Sequence, residues 1–306
     1  MTSDHTSDQD NAAETRRGVY YGLGCYLAWG VIPVYFKAVK SVPPIEVLAH
    51  RVIWSVVFLA ALLQLKRGWP TIAAALRNWR TMTALGASTI LIACNWYTYI
   101  WAVGNNQVVE ASLGYYINPL VSVVLGFVFL RERMRSLQWL AVALAAIAVT
   151  YLTVRLGKPP VISLILAFTF GLYGLLRKVA SVGALAGLAI ETTMLAPIAI
   201  GFLIWRSRTG ELIFLHETTR LDLLLAAGGV VTAVPLLWFA NAARRLRLST
   251  IGVMQYLAPT LQLLLGAVVY HEATTTHHWM TFAAIWTALI VYTVDALASR
   301  QSAAPR

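Results

Sequence analysis

Charge is what this sequence has least of. Asp, Glu, Lys and Arg make up 12% of its 306 residues, against about 25% in a water-soluble domain. A chain so poor in charge cannot cover a folded surface in water, which excludes a soluble globular protein. Cysteine is nearly absent too. Cys25 and Cys94 both fall inside apolar runs, so no disulfide framework is implied. The motifs of phosphate and metal chemistry are missing. No G-x-x-x-x-G-K-[ST] occurs, so the chain holds no ATP-hydrolysing loop, and no H-E-x-x-H occurs. His271, His277 and His278 lie near one another, but their spacing is a weak metal signal. No cofactor, metal site or catalytic residue is expected. The net charge of +11 comes from short basic clusters scattered between apolar runs. That pattern writes membrane topology and excludes a nucleic-acid patch.

Apolar sequence is what the chain has in excess: 58% of its residues are hydrophobic and its mean hydropathy is +0.67. A bilayer core takes about 20 apolar residues of helix. Roughly ten such spans are legible, near 18–38, 45–64, 82–103, 108–130, 137–155, 161–178, 184–205, 221–242, 249–270 and 279–297. The fold class expected is therefore an all-α integral membrane protein. The longest loops, Lys66 to Arg80 and Arg206 to Arg220, each have room for a short interfacial helix. Residues 1–16 are polar and acidic and are expected to be a disordered cytoplasmic tail, with a second short tail at 299–306.

Lys and Arg set the orientation. With the N-terminus in the cytoplasm, the inside receives Arg131, Arg133, Arg135, Arg177, Lys178, Arg244, Arg245 and Arg247 among others. The outside receives Lys37, Lys40, Arg155, Lys158, Arg206, Arg208 and Arg220. The bias favours both termini in the cytoplasm.

One stretch occurs twice. Ala111-Ser112-Leu113-Gly114-Tyr115-Tyr116-Ile117-Asn118-Pro119 runs on through Leu125-Gly126 to Glu132. Ile251-Gly252-Val253-Met254-Gln255-Tyr256-Leu257-Ala258-Pro259 runs on through Leu265-Gly266 to Glu272. Tyr116 meets Tyr256, Pro119 meets Pro259 and Glu132 meets Glu272. Each copy is an apolar helix with a proline part-way along, which frees a backbone carbonyl that protein or a wet cavity must satisfy. The copies are the fourth span and the ninth. An odd number of spans separates their positions, so the second crosses in the opposite sense. That predicts an inverted repeat, with a site near the midplane between halves spanning 17–156 and 157–298. A weaker echo links Trp29-Gly30 and Lys37 to Phe170-Gly171 and Lys178, one residue out of that register.

Few residues inside the spans can carry chemistry. Arg51 lies about two turns into its helix, roughly 10 Å from the end. It either lines a pathway, where it would hold an anionic group or neutralise Glu46 or Glu191, or snorkels outward. His50 beside it is expected to pack. Glu46 either pairs with Arg51 or faces outer water. Glu191 mirrors Arg51 and is the first candidate proton-carrying carboxylate, with Glu46 the second, unless Glu191 sits in the headgroup layer. Asn95, Trp96, Tyr116, Asn118, Trp238, Gln255 and Tyr256 are candidate substrate contacts, since aromatic bodies with a few amides suit a small amphiphilic ligand. Trp69, Trp101 and Trp279 are expected as interface anchors. Arg177 and Arg245 are read as topology determinants.

Asn95-Trp96, Glu110 through Leu120, Arg131-Glu132-Arg133, Phe170 through Lys178, Pro235-Leu236-Leu237-Trp238-Phe239 and Gln255 through Thr260 closely resemble the RarD branch of the EamA-type drug/metabolite transporter superfamily. The likeness runs from about Gly18 to Asp295. His271 departs from it, standing where a small residue is expected. The resemblance implies a bacterial inner-membrane permease of ten helices in two EamA repeats. It further implies a small-molecule substrate, no enzymatic activity, and halves that rock about a central cavity, driven in one version by protons; a homodimer is compatible with it. The other reading is a membrane scaffold or receptor that kept a transporter fold.

Overall fold

In lipid, a chain satisfies its backbone by closing every hydrogen bond within a helix. The computed structural model describes residues 3–131, 134–180, 182–246 and 254–301, and it is helical throughout, with no strand among the described residues. Its α-helices are α1 (Ser3–Ala38), α2 (Pro44–Leu65), α3 (Trp69–Leu76), α4 (Trp79–Gly104), α5 (Val108–Leu130), α6 (Ser136–Leu156), α7 (Val161–Ala180), α8 (Ala184–Arg208), α9 (Thr219–Arg245), α10 (Leu257–Leu264) and α11 (Thr276–Gln301). A π-helical turn, Leu265–Val269, extends α10. Among the described residues, six helical stretches are long and apolar enough to cross a membrane: Ala13–Ala38, Pro44–Leu65, Val108–Phe129, Ser136–Leu156, Ala184–Arg208 and Thr219–Phe239.

Local chemistry sets the helix ends. Pro44 opens α2, where its missing N–H is no loss. Asn78 Oδ1 accepts from Thr81 N (3.2 Å) to cap α4, and Thr218 Oγ1 accepts from Leu221 N (3.3 Å) to cap α9. Pro119 is absorbed inside a continuous α5. The second copy of that stretch is not continuous, because α10 passes into the π turn just before Tyr270. One of the two long loops holds α3, while Thr209 to Thr218 forms turns and coil.

The packing pairs the helices in a regular way. α4 and α5 lie along α7, and α9 and α10 lie along α1; α2 packs on α8, α6 on α11 and α5 on α10. The α2–α9 crossing is close enough to require glycine. A Cβ on Gly229 would stand 2.3 Å from the Trp54 carbonyl carbon.

Two expectations need correction or bounding. Residues 3–16 do not form a separate tail; they continue α1, and Glu14 meets both Arg17 (2.9 Å) and Arg245 (2.8 Å). Glu132, Arg133, Arg247 and Thr250 to Val253, which enter the repeat and orientation arguments, lie outside the described residues, as do 302–306.

Candidate functional site

Arg51 sits within α2 and turns inward, not outward along its own helix. It is 7% exposed. Its Nε donates to Thr232 Oγ1 of α9 at 2.5 Å, and that hydroxyl donates in turn to Gly228 O at 2.7 Å. The guanidinium lies 4.2 Å from the Trp96 ring centroid and 5.6 Å from that of Phe36, within cation–π range. A Cβ on Gly228 would meet Tyr35 Oη at 2.9 Å, so that glycine leaves room for Tyr35 beside Arg51. Edge-on rings continue from Phe36 to Tyr99 (5.8 Å) and on to Tyr115 (5.6 Å). Helices from both ends of the chain thus build one aromatic box around a single cation.

The acids expected to face Arg51 are engaged elsewhere. Glu46 neither pairs with Arg51 nor faces water; it is completely buried. Its Oε1 accepts from Ile213 N (2.9 Å) and Phe214 N (3.4 Å), and its Oε2 meets Arg206 at 3.3 Å. Phe214 also lies over His50, ring to ring at 4.5 Å, which packs the histidine as expected. Glu191 is also completely buried. It accepts from Ser88 Oγ (2.6 Å) and Tyr173 Oη (3.2 Å), with Arg177 Nη1 at 3.8 Å. Arg206 and Arg177, read from sequence as end-of-helix charges, therefore fold back to neutralise buried carboxylates.

A third acid closes one end of the bundle. Glu272 Oε2 accepts from Val109 N (2.9 Å) in the first turn of α5, and its Oε1 lies 3.9 Å from Lys37 Nζ at the end of α1. Lys37 also donates to Asn106 Oδ1 (2.5 Å). A Cβ on Gly266 would stand 2.8 Å from Val109 Cγ2, so glycine lets the π turn approach α5.

The remaining candidates separate. Asn95 Nδ2 donates to Leu166 O (3.1 Å) and Thr169 Oγ1 (2.9 Å), while its Oδ1 accepts from Tyr115 Oη (3.3 Å), so it ties α4 to α7 at the edge of the box. Asn118 Nδ2 donates to Ala167 O (3.0 Å) and does the same for α5. Tyr116 Oη is bonded to Thr260 Oγ1 (2.6 Å), with its ring against Phe282 and Trp286. Tyr256 packs in that same cluster. Trp238 is 36% exposed and lies against Gly24, and Gln255 is half-buried in the turn before α10. Of the residues singled out from sequence, Arg51 and Trp96 come together, with Asn95 one ring away. Tyr35, Phe36, Tyr99 and Thr232 were missed; Tyr35 and Phe36, two and one residues ahead of Lys37, and Tyr99, three residues after Trp96, gave an aromatic cue, and Thr232 gave none. A separate groove of about 410 Å³ opens on the flank of α4 that carries Tyr97 and Trp101, bordered by Glu110 and Lys158.

Comparison with known proteins agrees with this architecture. The model of the EamA-like transporter family matches residues 16–154. An uncharacterized transporter of Vibrio cholerae is 45% identical, over 97% of this chain and 98% of its own. Protein RarD of Streptomyces exfoliatus is 46% identical, over 93% and 90%, and Protein RarD of Escherichia coli is 45% identical, over 94% and 97%. A solved crystal structure with 20% identity superposes with a TM-score of 0.57, covering 90% of this chain and 97% of that one; this likeness is one of fold. The chain belongs to the RarD branch of the EamA-like transporter family, as a multi-pass bacterial membrane transporter.

Proposed function

We propose that the protein is a secondary carrier that moves a small organic molecule across the bacterial plasma membrane by alternating access, with the Arg51 box as its binding site. The observation that carries this reading is the box itself. A guanidinium held deep in an apolar protein, ringed by Trp96, Phe36 and Thr232, is costly unless it serves a pathway. Its walls come from helices on both sides of the chain's midpoint, which is where carriers of repeated architecture bind substrate.

The helix pairing supports two inverted five-helix repeats making ten spans. α7 stands to α4 and α5 as α1 stands to α9 and α10, and the self-pairs α2–α8, α6–α11 and α5–α10 lie across the relating axis. Lys37, Arg51, Tyr116 and Pro119 are all separated by one common interval from Arg177, Glu191, Tyr256 and Pro259. The one-residue slip between Lys37 and Lys178 disappears when Arg177 is taken as the counterpart. In this reading both termini are cytoplasmic. The Lys37–Glu272 contact then clasps the outer end of the bundle. Glu191 carries a coupling proton: with the proton on, its hold on Arg177 is released, and α7 and α8 can separate. Asn95 positions Tyr115 at the box edge. Asn118, Tyr116, Trp238, Gln255 and Tyr256 have no place in the box in the present conformation; they join the site only if the halves move.

The test is uptake of a metabolite panel into proteoliposomes, with and without an imposed pH gradient. Saturable uptake that Arg51→Ala removes supports the carrier. A protein that folds, reconstitutes and moves nothing is a scaffold on a transporter fold.

A further inference from the structure

The two buried acids that could balance Arg51 each have their own arginine. Glu46 lies on Arg206 at 3.3 Å and Glu191 is 3.8 Å from Arg177. Among the described residues, no carboxylate comes within ion-pair distance of Arg51. Its Nε is spent on Thr232, and neither terminal nitrogen has a hydrogen-bond partner among the described residues. A second group shares this condition. Tyr99, 4% exposed and in the same ring cluster, has a buried hydroxyl with no partner among the described residues. The box therefore holds unspent donors and lacks an anion.

Desolvating a cation without a partner costs several kcal/mol per ion. A fold that supplies counter-ions to Glu46 and Glu191 but not to Arg51 leaves that place for something else. The free edge of a guanidinium is a planar fork that matches the two oxygens of a carboxylate, and a hydroxyl can donate to either of them. Trp96 and Phe36 flank the fork, so a body carried on its free edge would lie beside aromatic rings.

We infer that the substrate is a small organic carboxylate with a planar, unsaturated body, its carboxylate on the Arg51 fork and the Tyr99 hydroxyl and its body against Trp96. This rests on the Arg51 box being the carrier's binding site. The substrate itself then completes the charge balance of the closed core, so an empty carrier closes less readily than a loaded one.

Binding to matched pairs tests this: benzoate, nicotinate and indole-3-acetate, each against its own primary amide, on the full chain in lipid nanodiscs, by thermal shift and equilibrium titration. At least one acid should bind and raise the melting temperature, with its amide about a hundredfold weaker, since a fork that meets a neutral group loses the charged contact. Arg51→Ala should erase the acid's advantage, and Arg51→Lys should keep roughly a tenth of the affinity, having charge without the fork. Tyr99→Phe should weaken the acid about tenfold and leave the amide unchanged. Amides that bind as tightly as their acids, or an acid preference that survives in Arg51→Ala, overturn the inference, as does a panel in which no acid binds. The carrier reading fails separately. If proteoliposomes take up neutral or cationic solutes while every acid is refused, the protein is a carrier and only the anion assignment is wrong.

Discussion

Arg51 and Glu191 are buried to a similar degree, each about two turns into its helix, yet their surroundings differ in kind. Glu191 has a hydroxyl on each oxygen and an arginine behind them. Arg51 has one hydroxyl, on Nε, and otherwise the faces of rings. Glu46 sides with Glu191: it is buried under the loop after α8 and takes two backbone N–H groups and Arg206. A buried charge whose partners come from its own chain can hold helices together or release them on protonation. A buried charge left without an ionic partner is a place for a ligand. Under the proposed function, the difference separates structure and coupling from recognition, although all three residues look alike as isolated charges in apolar sequence.

The largest expected effect breaks the comparison at Arg51. Arg51→Ala should lower transport by about a hundredfold or more, as truncating one side of a buried charge contact does, while membrane insertion measured by fractionation stays intact because a costly charge has gone. At Glu191 the expected effect is selective. Glu191→Gln should keep equilibrium exchange of substrate but lose all accumulation driven by a pH gradient, read by uptake at imposed and at symmetric pH. Stability should separate the two kinds of charge directly. Arg206→Met strands a buried carboxylate and should cost on the order of 3 kcal/mol, seen as a lower melting temperature in nanodiscs. Arg51→Met strands nothing and should leave the unliganded melting temperature unchanged or raised. The smallest effect is at Thr232. Thr232→Val removes the hydroxyl that aims Nε and should weaken substrate binding about tenfold, without changing the response to a pH gradient.

Much of this was legible before any coordinates. Apolar length marked the six stretches that, among the described residues, are long and apolar enough to cross a membrane, because a helix that must bury its backbone in lipid needs an unbroken run. Arg51 and Glu191 stood out because ionisable residues are rare at that depth. Their partners did not stand out. Arg206 and Arg177 occupy helix ends, where a basic residue ordinarily meets headgroups, and nothing local says that a side chain will fold back toward a carboxylate. Glu46 was misread because its partners are backbone N–H groups of Ile213 and Phe214, far away in the chain. Asn95 and Asn118 looked like ligand contacts, but each finds a carbonyl of α7, a partner that any helix can offer and no side-chain pattern records. The aromatic box depends on α1, α4 and α9 meeting at α2, which is a matter of packing between distant segments. The duplicated stretch was plain as a pattern, yet its copies differ locally: α5 absorbs its proline in one helix, whereas α10 gives way to a π turn.

Counterflow separates recognition from coupling in one measurement. Proteoliposomes preloaded with the acid that binds the wild type, at equal pH on both sides, would be given the same acid in radiolabelled form, with Arg51→Ala and Glu191→Gln reconstituted in parallel. Counterflow needs the binding site and the alternation of the halves, but no driving gradient. The account predicts exchange near the wild-type rate in Glu191→Gln and background exchange in Arg51→Ala. Exchange at the wild-type rate in Arg51→Ala would contradict it, and would place the substrate away from the one buried cation, among the described residues, that has no acid beside it.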